Sequence, residues 1–296
     1  MQNRLQSPDS GLQIKPKTRR PILWITGISG FLGWHLAQVA QANWQVYGTY
    51  HRHPVSLSAL SGSGHTTTRL DLLDFDAVVE TLISQRPAAV IHTAALSSPN
   101  ACQQNPTASH AVNVAATEHL ARRCAAEGVP LVFTSSNLVF DGRCSPYAES
   151  APPCPINLYG EHKAEAEQRL LAAYPQAVVC RLPLMFGAAT PTATSFLQNF
   201  LGKLRSGQRL NLFTDEYRMP AEARAIAAGL LLALQHPGLG LLHLAGASRL
   251  SRYDIGQLLV QRWRITTANI HPCRQADVPM PALLPPYISI DSRFAQ

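Results

Sequence analysis

Trp24-Ile25-Thr26-Gly27-Ile28-Ser29-Gly30-Phe31-Leu32-Gly33 is the stretch that decides the fold of this 296-residue chain. Its glycines are spaced TGxxGxxG. The apolar run Ile22 to Ile25 leads into them, and an amphipathic run reaching Val39 follows. Strand, glycine turn and helix start is the order in which a Rossmann-type unit receives a dinucleotide. Gly27 permits the tight turn, Gly30 lets backbone approach a pyrophosphate, and Gly33 lets the helix pack close to the strand. The helix start, with Phe31 and Leu32, adds free N–H groups and the positive end of the helix dipole.

Outward from this turn, a second strand is expected over Gln45 to Thr49, ending in Tyr50-His51-Arg52-His53. A site for NAD usually carries a carboxylate about 20 residues beyond the glycines, to hold the ribose 2′-OH. Here no Asp or Glu occurs between Ser10 and Leu70, and the position offers Arg52 between two imidazoles. A guanidinium suits a 2′-phosphate. The cofactor expected from these residues is NADP(H).

Strands and helices then alternate. Thr67–Leu70, Ala88–His92, Leu131–Ser135 and Ala177–Leu182 read as strands. Asp74–Gln85, Thr107–Glu127 and Leu158–Ala173 read as helices between them. This is the pattern of an α/β fold with a doubly wound parallel sheet. Asp141–Asn157 is proline-rich and aperiodic, so it reads as a long, functional loop. Beyond Gly187 the pattern loosens into helices near Ser195–Ser206, Ala221–Leu234 and Arg252–Trp263, with short strands near Leu210 and Leu241–Ala245. The expected division is a flexible tail over 1–20, an NADP-binding Rossmann domain over 21–186 and a smaller substrate-binding part over 187–296.

Composition limits the function classes. Hydrophobic residues make up 46% of the chain, enough for a large core, and the formal charge is +7. Its Lys and Arg residues are scattered apart from Lys15-Pro16-Lys17-Thr18-Arg19-Arg20, and no recognition motif accompanies them, so nucleic acid is not an expected partner. An anionic cofactor and substrate account for the excess. The longest apolar run, Ala225 to Leu234, is too short for a bilayer. No signal peptide is evident and the six cysteines form no CxxC pair, which implies a cytoplasmic protein with free thiols. The eleven histidines show no HxxxH or HExxH arrangement, and no metal site is expected.

Chemistry is carried by Tyr159-Gly160-Glu161-His162-Lys163, where Tyr and Lys lie one helical turn apart on one face. A phenol near pKa ~10 exchanges protons poorly at neutral pH, and an adjacent ammonium is expected to lower that value. Phe133-Thr134-Ser135-Ser136-Asn137 ends the fifth strand, where open α/β sheets bind ligands. Ser135 and Ser136 both qualify by type to polarise a substrate carbonyl.

These residues together resemble the extended short-chain dehydrogenase/reductases, most closely the dTDP-4-dehydrorhamnose reductase branch, over roughly residues 21 to 293. Thr26–Gly33 matches the cofactor motif. Leu70-Asp71-Leu72-Leu73-Asp74 resembles the segment meeting adenine, which adds Asp71 and Leu72 to the cofactor residues. Ile91-His92-Thr93-Ala94-Ala95 resembles the branch's NAA strand end, adding Ala94 and Ala95, with His92 and Thr93 as departures. Asn113 matches a structural asparagine. Ser135–Gly142 aligns with S-T-D-Y-V-F-D-G, which puts the catalytic hydroxyl on Ser136, with Tyr159 and Lys163 beside it and both also against the cofactor. Asn137 stands in place of the branch's aspartate and Leu138 in place of its tyrosine. Asp215-Glu216-Tyr217-Arg218-Met219-Pro220 is similar to a substrate-side segment, so Asn137 and Arg218 are the candidate substrate residues. The arginine-proline that usually precedes Ile288–Ser292 is Pro285-Pro286 here.

The resemblance implies an NADPH-dependent reductase of a keto group on a nucleotide-activated sugar, with a small-molecule partner and a homodimer admitted. A 4,6-dehydratase is disfavoured, because Asn137 and Leu138 cannot transfer protons. Two alternatives stay open. One is an NAD-dependent sugar-nucleotide epimerase; the other is a non-enzymatic NADP-binding regulatory subunit like that of methionine adenosyltransferase.

Overall fold

The computed structural model describes residues 20–295; the expected tail, apart from Arg20, lies outside them. Seven parallel strands form the central sheet. In chain order the first part reads β1 Ile22–Thr26, α1 Phe31–Ala40, β2 Gln45–Tyr50, β3 Thr66–Arg69, α2 Phe75–Gln85 and β4 Ala89–His92. It continues with α3 Pro99–Gln104, α4 Pro106–His110, α5 Ala116–Ala126, β5 Leu131–Ser136, α6 Leu158–Ala173 and β6 Val178–Leu182. The smaller elements follow as β7 Met185–Phe186, α7 Phe196–Arg205, β8 Arg209–Phe213, β9 Tyr217–Arg218, β10 Ala221–Glu222 and α8 Ala223–Ala233. The last are β11 Gly240–His243, β12 Leu250–Ser251, α9 Arg252–Trp263 and β13 Asn269–Cys273.

The sheet order is β11-β6-β5-β4-β1-β2-β3, with β1 at the point where the winding reverses. Alternation along the strands builds a core on each face. Leu23 and Ile25 pack with Leu36 of α1 and Leu230 of α8, while Trp24 packs with Leu120 of α5 and Leu170 of α6. Short pieces make the rest: β8 with β13, β9 with β12 and β7 with β10. Leu204, Leu210, Leu212, Ile255 and Leu259 form the small lobe's separate core.

Three differences from the sequence reading have physical causes. The helix expected over Thr107–Glu127 contains a π-helical turn at Ala111–Ala115. There Asn113 is turned inward to clamp both backbone groups of Leu96, at 2.9 and 3.1 Å. The helix α3 was not expected, being only six residues long; its Ser98 cap and Pro99 start it. Finally, a boundary at 186/187 does not separate the layers. β11 pairs with β6 as the sheet's edge, and α8 packs on α1, so the later residues return to complete the first core.

Candidate active site

The cofactor turn is built by close approach. Gly27 has φ +71°, and a Cβ on it would lie 2.8 Å from backbone atoms of Ala94. A Cβ on Gly33 would lie 2.3 Å from the Gly27 carbonyl oxygen. Any side chain at either place would push the strand ends and α1 apart. Gly30 caps α1 with no side-chain bond, so the N–H groups of the first helical turn remain for a ligand.

Beneath the turn runs a buried hydrogen-bonded chain. Thr26 Oγ1 accepts from the N–H groups of Thr93 (3.2 Å) and Ala94 (3.3 Å), and donates to His92 Nδ1 at 2.7 Å. The Nε2–H of His92 donates to Thr117 Oγ1 at 3.1 Å, and Thr117 donates to the Asn113 carbonyl at 2.8 Å. These roles require one neutral tautomer. Burial, helped by the Lys163 charge, pushes His92 down to about 3, which keeps it neutral.

A cleft of about 620 Å³ opens above this floor, at the carboxyl ends of the strands. Gly27, Gly30, Phe31, Leu32 and Gly33 line one wall. Arg52, Asp71 and Leu72 line the far end, Ala94 and Ala95 the middle, and Ser136, Tyr159 and Lys163 the other end. At the far end Arg69 Nε donates to the His51 carbonyl (3.2 Å) and His51 Nε2 lies 3.6 Å from Asp71, while Arg52 is the arginine among the residues that line the cleft.

Ser136 and Tyr159 form one unit. Asn157 caps α6 through the Gly160 N–H (2.9 Å). A Cβ on Gly160 would lie 2.1 Å from the Leu138 carbonyl, so this glycine lets α6 press onto the turn that follows β5. Ser136 Oγ accepts from Leu138 N (3.1 Å), which leaves its proton for the Tyr159 phenol. Ser135 faces elsewhere, donating to Glu167 Oε1. Glu167 in turn holds Arg181 in a buried bidentate pair, with Nη2–Oε2 at 2.7 Å and Nε–Oε1 at 3.0 Å.

The expected lowering of Tyr159 by Lys163 is corrected here. Burial dominates and pushes the phenol up to about 12, opposed by the Ser136 hydrogen bond. Lys163 is turned to the Thr134 carbonyl (2.8 Å) over the Phe133 ring (4.4 Å). Its own value is pulled down to about 8 by burial, against the Glu167 charge.

The two candidate substrate residues are not brought to this cleft lining. Asn137 is buried in the turn after β5. Arg218 is buried in the small lobe, 3.3 Å from Glu216, which also accepts from Arg252 Nε at 2.9 Å. Arg218 Nη2 is near Glu216 but out of line for a hydrogen bond, and has no other partner. Sequence reasoning missed Glu167, although its place four residues after Lys163, on the same helix face, was a usable signal. Among the described residues no group of His, Cys, Asp and Glu could hold a metal ion, and no helix is long and apolar enough to cross a membrane.

A parallel sheet with a glycine turn at its reversal point and a Ser-Tyr-Lys set across the cleft defines an extended short-chain dehydrogenase/reductase. The RmlD substrate binding domain family matches residues 21–296, and the chain belongs to that family. The beta subunit of methionine adenosyltransferase 2 from Xenopus laevis is 30% identical over 261 residues, covering 84% of this chain and 74% of that one. A probable low-salt glycan biosynthesis reductase of Haloferax volcanii is 29% identical over 266 residues, covering 88% and 87%. The solved dTDP-4-dehydrorhamnose reductase of Bacillus anthracis, in complex with NADP, superposes with a TM-score of 0.79 at 19% identity, covering 91% and 90%.

Proposed function

We propose that the chain is an NADPH-dependent reductase of a keto group on a nucleotide-activated sugar. The observation that carries this reading is the meeting of Ser136, Tyr159 and Lys163 with the glycine turn in one cleft. The glycine cradle fits a dinucleotide, since a Cβ at Gly27 or Gly33 would fill it. Arg52 favours a 2′-phosphate there. When bound, the cofactor supplies the hydride. Ser136 polarises the substrate carbonyl, and Tyr159 gives its proton to the developing alkoxide. A phenol pushed up to about 12 rests protonated at neutral pH, the form needed for reduction. Lys163 binds the nicotinamide ribose. Arg218 and Arg252 share the one Glu216 carboxylate and leave a net positive charge in the small lobe, but Asn137 and Arg218 lie outside the cleft lining, so neither is assigned a substrate contact. In this division residues 21–186 bind cofactor and 187–296 substrate, in the cytoplasm.

A second reading is a non-enzymatic NADP-binding subunit. It is favoured by the 30% identity to the adenosyltransferase beta subunit and by Arg218 being engaged by Glu216. The retained-NAD epimerase is opposed by Arg52. The test is NADPH oxidation with a panel of keto-sugar nucleotides, run beside affinity capture of a stoichiometric partner. Turnover that Tyr159→Phe abolishes supports the reductase. No turnover with any member, alongside a captured partner, favours the subunit.

A further inference from the structure

The cofactor turn is gripped from outside by a segment that reads in the sequence only as a connection. Residues 187–195 join β7 to α7, and both of their ends are fixed. The Gly187 carbonyl accepts from Gln198 Nε2 at 2.7 Å, and Ser195 forms a capping box with the same Gln198, whose Oε1 accepts from Ser195 N at 2.8 Å. Between these ends the chain folds on itself. Thr190 N donates to the Ala193 carbonyl (2.8 Å), and Ala193 N donates back to Thr190 Oγ1 (2.8 Å). That turn presents Thr192, whose hydroxyl donates to the carbonyl oxygen of Ser29 at 2.6 Å.

A second tie comes from α1. His35 Nε2 donates to the Ala188 carbonyl at 3.0 Å, since a carbonyl can only accept. Gly187 lies against the same helix, where a Cβ would come within 3.4 Å of the Phe31 ring. The segment therefore bridges the small lobe to the first turn of α1 and to the glycine turn itself.

The Thr192 contact falls on a sensitive peptide unit. The Ser29–Gly30 peptide has its N–H donated to the Gly27 carbonyl (2.9 Å) and its C=O held by Thr192. With both ends held, the plane of that peptide is set, and so is the direction of the N–H groups that follow it at the start of α1. Those groups are the ones offered to a pyrophosphate.

We propose that residues 187–195 form a strap by which the small lobe holds the cofactor turn, with Thr192 as its latch, and that release of this latch sets how fast a dinucleotide leaves. This rests on the cofactor reading above. It bears directly on function, because a reductase must discharge its spent cofactor once per turnover, whereas a subunit that retains its nucleotide need not. Thr192 is a positioning residue: it acts through Ser29 and touches no reacting atom.

The test is stopped-flow displacement of NADPH fluorescence from the full chain by excess NADP+. Thr192→Val keeps the β-branched shape and removes the donor. A single exposed hydrogen bond sets the expected change at about fivefold faster release, with association within about twofold. Thr192→Ser retains the hydroxyl and should release at the wild-type rate within about twofold. A valine variant that releases like wild type, or valine and serine variants that change equally, overturns the strap. Wild-type protein that binds no NADPH overturns the cofactor reading, and the strap with it, before any variant is compared.

Discussion

The cofactor floor and the small lobe are held together in opposite ways. Under the glycine turn each buried polar group of Thr26, His92 and Thr117 has a partner, and a single tautomer satisfies them all. In the small lobe one carboxylate, Glu216, serves two guanidiniums, and Arg218 Nη2 is left over. The first region is bound by backbone and by seven paired strands. In the second, the Glu216–Arg218 segment hangs on two-residue strands, β9 and β12. A site made of backbone geometry recognises what many ligands share, here a diphosphate bridge. A site made of side chains on short pieces can be altered one residue at a time without disturbing the fold. The two regions are therefore expected to answer substitution differently: chemistry, cofactor choice and stability are lost from the first, while changes in the second leave the fold and the cofactor turn intact.

The hardest blow to the ordered half is Tyr159→Phe. The ring still packs, so NADPH affinity should stay within about twofold, while the proton donor is gone. Turnover should fall by about 10²–10⁴-fold, the usual contribution of a general acid. A variant retaining half of wild-type activity would remove Tyr159 from that role and erase the distinction between packing and chemistry in this half.

Glu167→Ala tests whether order there depends on paired charge. It strips the partner from buried Arg181 and the acceptor from Ser135. Breaking a buried pair typically costs about 3–5 kcal/mol, so the denaturation midpoint should drop sharply. Replacing both members, Glu167→Gln with Arg181→Met, should restore much of that loss. If the single variant is as stable as wild type, the pair is not what holds β5, β6 and α6 together.

How far these halves could be read in the chain follows the same division. Strong periodicity made the Rossmann strands legible, and TGxxGxxG placed Gly27, Gly30 and Gly33 before any coordinates. Tyr159 was legible through its spacing to Lys163, whereas strand-end position left Ser135 and Ser136 both open and only the resemblance to the reductase branch chose Ser136. The state of Lys163 was not, because burial, which spacing does not show, outweighs the pairing that spacing suggests. Likewise nothing in Asp215–Pro220 reveals that Glu216 sits between Arg218 and Arg252, which approach from different elements. The π-helical turn was hidden because its cause, the clamp of Asn113 on Leu96, is tertiary.

Cofactor selectivity in the ordered half is expected to depend on the exposed Arg52. NADPH should bind at least about tenfold more tightly than NADH, a difference of ~1.4 kcal/mol or more. Arg52→Ala should remove most of that gap by weakening NADPH alone. Titration of both cofactors into both proteins measures it. Equal affinities in the wild type would overturn the NADP reading and bring the retained-NAD epimerase forward.

The smallest effect near neutral pH separates function from stability at one buried residue. Lys163 is pulled down to about 8 by burial, while Tyr159 at about 12 does not titrate in the accessible range. Below pH 8 the ammonium is present to bind the ribose; as pH rises through about 8 its proton leaves, and kcat/KM, which reports the free protein, should fall to about half at that point. Stability runs the other way. In the unfolded chain a lysine keeps its proton to about 10.4, so between about 8 and 10.4 the unfolded state binds more protons, and this group's contribution to stability rises with pH. That contribution is lost as pH falls back through about 8. Lys163→Met carries no charge at any pH, so it isolates the term: its stability advantage over wild type should be largest at pH 7 and shrink steadily above pH 8. A gap that stays constant from pH 7 to 10, or a kcat/KM that does not fall until the pH nears 10, would each show that burial does not neutralise Lys163 near pH 8.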